Sequence, residues 1–336
     1  MKGVAILNPR AGLAAARARA AVERSAHWRG LEVRLTTAPG DARRFASEAA
    51  AAGAEIVLAI GGDGTANETA WGLLGTRAAL GLVPMGSGNG LARTLGIPLK
   101  PDAALAVLAE AVPRAMDVGM VNGRPFLNVA GAGFDARVGL DFHEHGRRGG
   151  RRGVFTYVWL GVLRIMKYRA ESWVLEAGGQ KFEGRACIVA FVNGRQYGGG
   201  AMLVPGARLD DGLLDIVVID DAPALEMAWN AQRLFFGTLA QYRRYRHVAS
   251  SVAVVTAANP TPHHRDGEPE GPAVRLEVSI LPRALRILVP RKTADDPDGP
   301  FEPQPLLRNS IKDLAGLAAD EIEAESGRTP AESSDD

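Results

Sequence analysis

Three short stretches place glycine where an apolar, strand-like run ends: "NPRAG" (8–12), "GGDGT" (61–65) and "GSGNG" (86–90). A glycine turn lets backbone approach an anion closely, and the free N–H groups of a helix that follows favour negative charge. Three such turns after successive strands describe a phosphate-binding edge. Backbone amides with small hydroxyl and amide side chains can bind phosphate there without a lysine. Two familiar nucleotide signatures are excluded. No G-x-x-x-x-G-K-[ST] occurs, and "GSGNG" lacks the spacing and the following acidic residue of a dinucleotide fingerprint. The second turn carries a negative charge, Asp63, at its centre.

Carboxylates form the other chemical clusters. In "HHRDGEPEG" (263–271), Asp266 and Glu268 stand at i and i+2, which on extended backbone puts both on one side. Phosphoryl transfer needs a group to take the acceptor's proton and charge to offset the phosphate oxygens, and such a pair could serve. Asp-Gly is equally a common hairpin turn, and both readings stand at this level. "LDDGLLD" (209–215) holds Asp210, Asp211 and Asp215 ahead of a strand and reads by itself as a hairpin corner. His143 and His145, and the adjacent His263 and His264, lack zinc-site spacing and read as solvated surface. Cys187, the only cysteine, reads as a small buried hydrophobe in "ACIVAF" and fits a reducing compartment.

The elements that must hold these groups alternate in the first third. "VAIL" (4–7), "LEVRL" (31–35), "EIVLAI" (55–60) and "ALGLVP" (79–84) read as strands buried on both faces. Helical segments are expected at 13–28, 41–53, 65–75 and 101–111, with Asp41 as an N-cap. This predicts a doubly wound α/β domain over 1–115. From Met116 closely spaced strands take over, with helix-like stretches only at 151–168 and 223–240, so 116–290 is expected to be a β-rich sandwich. Residues 291–336 form a C-terminal segment that could pack back on the first domain, with an amphipathic stretch at 306–322 and an acidic, disordered end.

With 336 residues and a formal charge of +1, the chain suits about two domains and carries no field that would gather nucleic acid. The N-terminal apolar run is too short for a signal peptide, and no segment reaches the ~18 apolar residues of a membrane span. The expected location is cytoplasmic, with transient membrane association. For the latter, "HGRRGGRRGVFTYVWLGVLRIMKYR" (145–169) sets arginines beside aromatics, as an interfacial element would.

"NPRAG", "TTAPGDA" (36–42), "GGDGTANE" (61–68) and "PMGSGNGLAR" (84–93), then "GAGFDA" (131–136), "LDDGLLDIVVI" (209–219) and "DGEP" (266–269), together resemble the soluble lipid kinases. These are the bacterial diacylglycerol kinases and their sphingosine and ceramide kinase relatives, and the likeness runs over roughly residues 3–290. GGDGT alone is shared with NAD kinases and phosphofructokinases, whose α/β fold it implies here; the ordered set is far more specific. The resemblance implies ATP in the cleft between an α/β and a β-rich domain, meeting Asn8, Pro9, Arg10, Ala11, Gly12, Thr36, Thr37, Gly61, Gly62, Asp63, Gly64, Thr65, Ala66, Asn67 and Ser87. It implies Glu268 as proton acceptor, with Asp266 and Asp63 at the reacting centre, Asp63 facing metal. It also implies Mg²⁺ held by Asp211 and the carbonyls of Leu214 and Ile216, oxygen ligands suited to a hard cation. Bacterial diacylglycerol kinases typically carry an aspartate where Gly90 stands; the small residue is closer to sphingosine kinases and would widen or neutralise the acceptor site.

The implied activity is ATP- and Mg²⁺-dependent phosphorylation of a diacylglycerol-like alcohol at a membrane surface. The alternatives are a sphingoid-base or other long-chain alcohol kinase, an NAD kinase, and a non-catalytic lipid-binding regulator on a kinase scaffold. A homodimer is compatible with the sequence.

Overall fold

A computed structural model describes residues 2–9, 13–147, 161, 164, 168–198 and 200–303. Met1–Glu302 form one compact unit. The expected helices at 151–168 and 306–322, and most of the basic-aromatic stretch 145–169, lie outside the described residues.

The first part winds strands and helices alternately. β1 (Gly3–Leu7), β2 (Glu32–Leu35), β3 (Ile56–Gly61) and β4 (Ala79–Pro84) are parallel in the order β2-β1-β3-β4. Around them lie α1 (Leu13–Arg24), α2 (Asp41–Ala51), α3 (Asp63–Leu73), α4 (Gly90–Thr94) and α5 (Pro101–Ala109). Alanine at 42, 46 and 49 gives α2 a flat, fully buried stripe. The strand order reverses between β1 and β3, so the turns after these two strands open a crevice at the sheet's carboxyl edge. Asp41 sits inside the first turn of α2 instead of capping it. Gly40 (φ 87°) is the cap residue, and the Asp41 carboxylate turns back onto the amides of Thr37 and Ala38.

The second part is antiparallel. β5 (Val112–Val121), β6 (Arg124–Phe126) and β7 (Val129–Gly133) are followed by α6 (Phe134–Arg147), a helix that the sequence reading did not anticipate. β8 (Glu171–Ala177), β9 (Gln180–Val192) and the small hairpin β10 (Gln196–Gly198) and β11 (Ala201–Met202) come next. β12 (Leu214–Asp220) is joined to β13 (Tyr245–Ser250) through α7 (Ala224–Asn230) and α8 (Arg233–Phe236), so the helix expected at 223–240 is broken. β14 (Val252–Arg265) and β15 (Glu268–Val289) close the sheet, and a short α9 (Arg291–Ala294) follows.

Residue alternation fills two cores, as the twofold strand period requires. From β12, Leu214, Ile216 and Val218 enter one cluster with Trp173, Phe191 and Val255. Val217 and Ile219 point the other way, to Val129, Leu203 and Tyr242. The two halves share one hydrogen-bonded path, because β15 runs from its hairpin with β14 to parallel pairing with β4 at Arg286 and Ile287. β5, which spans the boundary expected at residue 115, pairs with the same strand.

Residues after β15 fold back. The Arg114 guanidinium, buried, donates to the carbonyls of Ala294 (3.2 Å) and Glu302 (2.7 Å) and lies over the Phe301 ring. Phe301 is fully buried in the α/β core. Phe301→Ala should lower unfolding free energy by about 3–5 kcal/mol, read by urea denaturation. A loss below about 1 kcal/mol would mean that this segment does not pin the fold.

Candidate active site

The site is built where the β3, β4 and β14–β15 connections meet. After β3, Gly62 takes extended backbone and α3 begins at Asp63 with no side-chain cap, leaving first-turn amides without intrahelical partners. The third turn stands against it: Met85 N donates to Gly61 O (2.7 Å), and a Cβ on Gly86 would come 2.8 Å from Gly62 Cα. Asn89, left-handed at φ 52°, ties its own turn by exchanging hydrogen bonds with Gly86 N and O. Asn8 closes the first turn onto the second through Ile60 O (3.0 Å) and the Thr65 hydroxyl (3.2 Å). A pocket of about 230 Å³ beside the third turn is lined by Ala14, Met85, Ser87, Arg93 and Pro101.

The Asp63 carboxylate faces the third turn. Its Oδ2 accepts Asn89 N (2.8 Å) and its Oδ1 accepts Gly90 N (3.0 Å), so the charge locks the second turn to the third. Burial, with Asp266 nearby, raises its pKa to about 6 against the opposing pull of these amides.

The acidic hairpin is a turn and a site at once. Asp266 (φ 48°) and Gly267 (φ 80°) connect paired Arg265 and Glu268 as a two-residue turn of primed type. The Asp266 carboxylate is occupied: Oδ1 accepts Asn128 N (2.8 Å) and Val129 N (3.1 Å), and Oδ2 accepts Leu127 N (2.8 Å) and Asn67 Nδ2 (2.8 Å). The Asn67 amide donates to Pro125 O as well as to Asp266. Glu268 is different. Its side chain is 53% exposed, lies over the start of α3 about where a Cβ on Gly64 would be 3.5 Å from Oε1, and has His143 Nδ1 3.7 Å from Oε2.

Of the remaining expected contacts, Gly61, Gly62, Gly64, Thr65 and Ala66 gather at the β3–α3 turn, and exposed Ser87 tips the third. Pro9 is exposed at the end of β1, and Thr36 N pairs with Leu7 O beside it. Thr37 has its hydroxyl on Asp41. Arg10, Ala11 and Gly12 lie outside the described residues.

The reading of His263 and His264 as solvated surface is overturned, since both are buried. His264 Nε2 meets the Tyr197 hydroxyl (2.5 Å) and Asp135 Oδ2 (3.1 Å), and its Nδ1 accepts Gly267 N (3.4 Å). This cluster supports the turn from beneath. The signal in the sequence was the small Gly131, where a Cβ would come 2.6 Å from Asp135 Oδ2. Gly90 does not widen the site: a Cβ there would meet Asn128 Nδ2 at 2.5 Å and Gln196 O at 3.1 Å. Cys187 is buried as expected, and burial pushes its thiol up to about 11.

At the β12 corner, buried Asp117 accepts Gly212 N and Arg283 N (both 2.6 Å), and Asp210 pairs with Arg114 (3.3 Å). Asp211 accepts Leu213 N (3.0 Å), and burial beside Asp215, Asp117 and Asp210 raises its pKa. Among the described residues no three His, Cys, Asp or Glu side chains converge as a metal cage. A cation at this corner would therefore need backbone carbonyls. The excess of negative charge and the hard oxygen donors fit such an ion.

Because its pKa is raised from 3.8 to about 6, Asp63 holds a proton more tightly folded than unfolded. Its stabilising contribution is complete below the unfolded value and is lost as pH rises through about 6, where the ionised form clamps the amides. A carboxyl carbon resonance titrating near that pH, and absent from Asp63→Asn, is expected by NMR. A midpoint below about 4.5 would contradict this burial.

Similarity to known proteins agrees with this geometry. The diacylglycerol kinase catalytic domain matches residues 2–121, and the YegS C-terminal NAD kinase beta sandwich-like domain matches residues 128–289. A Pseudomonas aeruginosa (strain UCBPP-PA14) protein named "Probable lipid kinase YegS-like" is 38% identical over 283 residues, 83% of this chain and 91% of that one. A Citrobacter koseri protein of the same name is 31% identical over 268 residues, 77% of this chain and 86% of its own. A crystal structure of a diacylglycerol kinase from Bacillus anthracis str. Sterne shares the fold, with a TM-score of 0.66 at 22% identity over 87% of this chain and 97% of that one. An α/β half with three glycine turns, a β-sandwich half carrying the acidic hairpin, and both family domains in sequence place this chain in the YegS-like lipid kinase family, whose first half is a diacylglycerol kinase catalytic domain.

Proposed function

We propose that the protein transfers the γ-phosphoryl group of ATP to the primary hydroxyl of a diacylglycerol-like lipid, with Mg²⁺. One observation carries the assignment of roles. Of the three acids at the site, two have their oxygens bound to backbone amides, whereas Glu268 has His143 at 3.7 Å, is 53% exposed and lies over the uncapped start of α3.

The division of labour follows from the donors. Amides of the β3–α3 turn bind the phosphates, and the dipole of α3 favours their charge. Asp63 and Asp266 are positioning residues: the first fixes the spacing of the two turns, the second fixes the hairpin to α3. Glu268 accepts the proton of the lipid hydroxyl, with His143 beside it. Mg²⁺, when bound, offsets charge on the phosphate oxygens, and the residues that would hold a structural ion are Asp211 and the carbonyls of Leu214 and Ile216.

Glu268→Gln should reduce turnover about 10²–10⁴-fold while ATP affinity, measured by calorimetry, stays within about twofold of the parent. Radiolabelled transfer should be assayed against diacylglycerol, monoacylglycerol, sphingosine, ceramide, phosphatidylglycerol and NAD. Transfer to none of the lipids, or near-normal turnover in the variant, would overturn the proposal. For the cation, adding MgCl₂ without nucleotide should raise the melting temperature of the parent protein and leave Asp211→Asn unmoved. An equal rise in both would remove Asp211 as a ligand.

A further inference from the structure

The two helices between β12 and β13 carry large apolar side chains that the fold leaves outside. Leu225 is 81% exposed, Trp229 and Phe236 74% each, and Phe235 41%. Neither α7 nor α8 contains a buried residue. Hydrogen bonds from Ala231 N to Met227 O, Leu234 N to Ala231 O and Phe235 N to Gln232 O continue helical turns across the join. Leu225 and Trp229 stand at i and i+4 on one face of α7, and Phe236 stands exposed at the end of α8. The opposite side is fixed inward: Leu234 packs on the cluster of Val217, Ile219 and Tyr242, and Met227 Sδ lies 3.3 Å from Cys187 Sγ.

Charge narrows what could cover this face. From Asp220 to Arg246 there are four arginines, Arg233, Arg243, Arg244 and Arg246, against the three acids Asp220, Asp221 and Glu226. Glu226 is shared by Arg243 and Arg244 (3.0 Å each), and Arg246 pairs with Asp220. Arg233 has no ion pair among the described residues and bonds only to neutral groups such as Asn230 Oδ1 (2.9 Å). Aromatic and aliphatic tips backed by surplus arginine complement an anionic lipid surface. The face also adjoins the acceptor side of the site. Gly237, just after α8, lies against Pro205 and Met202, next to the β10–β11 hairpin. That hairpin's Tyr197 bonds Asp135 (2.8 Å), and its Gln196 amide reaches Thr94 of α4 (3.3 Å).

We propose that the α7–α8 stripe docks the protein on an anionic phospholipid bilayer, with Leu225, Trp229 and Phe236 entering the acyl region and the arginines meeting lipid phosphates. The choice of a bilayer over a protein partner rests on the lipid-kinase reading. The docking itself is measured without catalysis.

The test uses the full chain in flotation with vesicles of phosphatidylcholine alone or with roughly 30% phosphatidylglycerol. Binding is expected only to the anionic vesicles, with a blue shift of tryptophan emission that is missing in Trp229→Phe. The triple variant Leu225→Ser, Trp229→Ser, Phe236→Ser should lose at least about tenfold in partitioning yet turn over a water-soluble short-chain diacylglycerol as the parent does. Vesicle binding by the triple variant equal to that of the parent overturns docking. So does loss of a dimer in sedimentation with vesicle binding unchanged, which would make the stripe a contact between copies. Stripe-dependent vesicle binding by a protein that phosphorylates no lipid would uphold docking and remove only the kinase reading.

Discussion

One carboxylate holds the site in register. Asp266 accepts three consecutive amides, from Leu127, Asn128 and Val129, and a fourth bond from Asn67 on α3. Charge-assisted bonds of this kind are about twice as strong as neutral ones, and here they converge on a residue whose left-handed backbone already forces a tight turn. The consequence is geometric. Glu268, two residues on, takes its place over α3 from this anchored neighbour. Asp63 repeats the device on the nucleotide side, joining two glycine turns that meet backbone to backbone at Gly62 and Gly86.

The α/β half was legible because its signals are local. Apolar runs bounded by glycine gave β1, β3 and β4 to within a residue at either end, and alanine-rich segments gave the cores of α1, α2 and α5. What escaped has a physical reason in each case. α6 begins in "GAGFDA", where glycines suppress the helical signal, although Phe134 onwards is helical. The Asp266 bonds span 137 to 139 residues of sequence, and no local propensity encodes them. His264 looked like surface because its partners, Asp135 and Tyr197, come from separate elements.

Gly90 shows how a residue type can mislead when its surroundings are unknown. A missing side chain suggested added room, but Asn128 and Gln196 already fill that volume. Its glycine is required for close packing between the third turn and the β10–β11 hairpin.

The long β15 has an implication for how the chain can be divided. It begins at Glu268, ends by pairing with β4, and in between supports β5 and β14. Cut away at residue 115, the α/β half would expose the β4 edge and lose Phe301 from its core. The family's N-terminal region is thus not a portable module in this chain. During synthesis the β4 edge stays unpaired until the last strand of the sandwich has been made, so completion of the sheet awaits its C-terminal end.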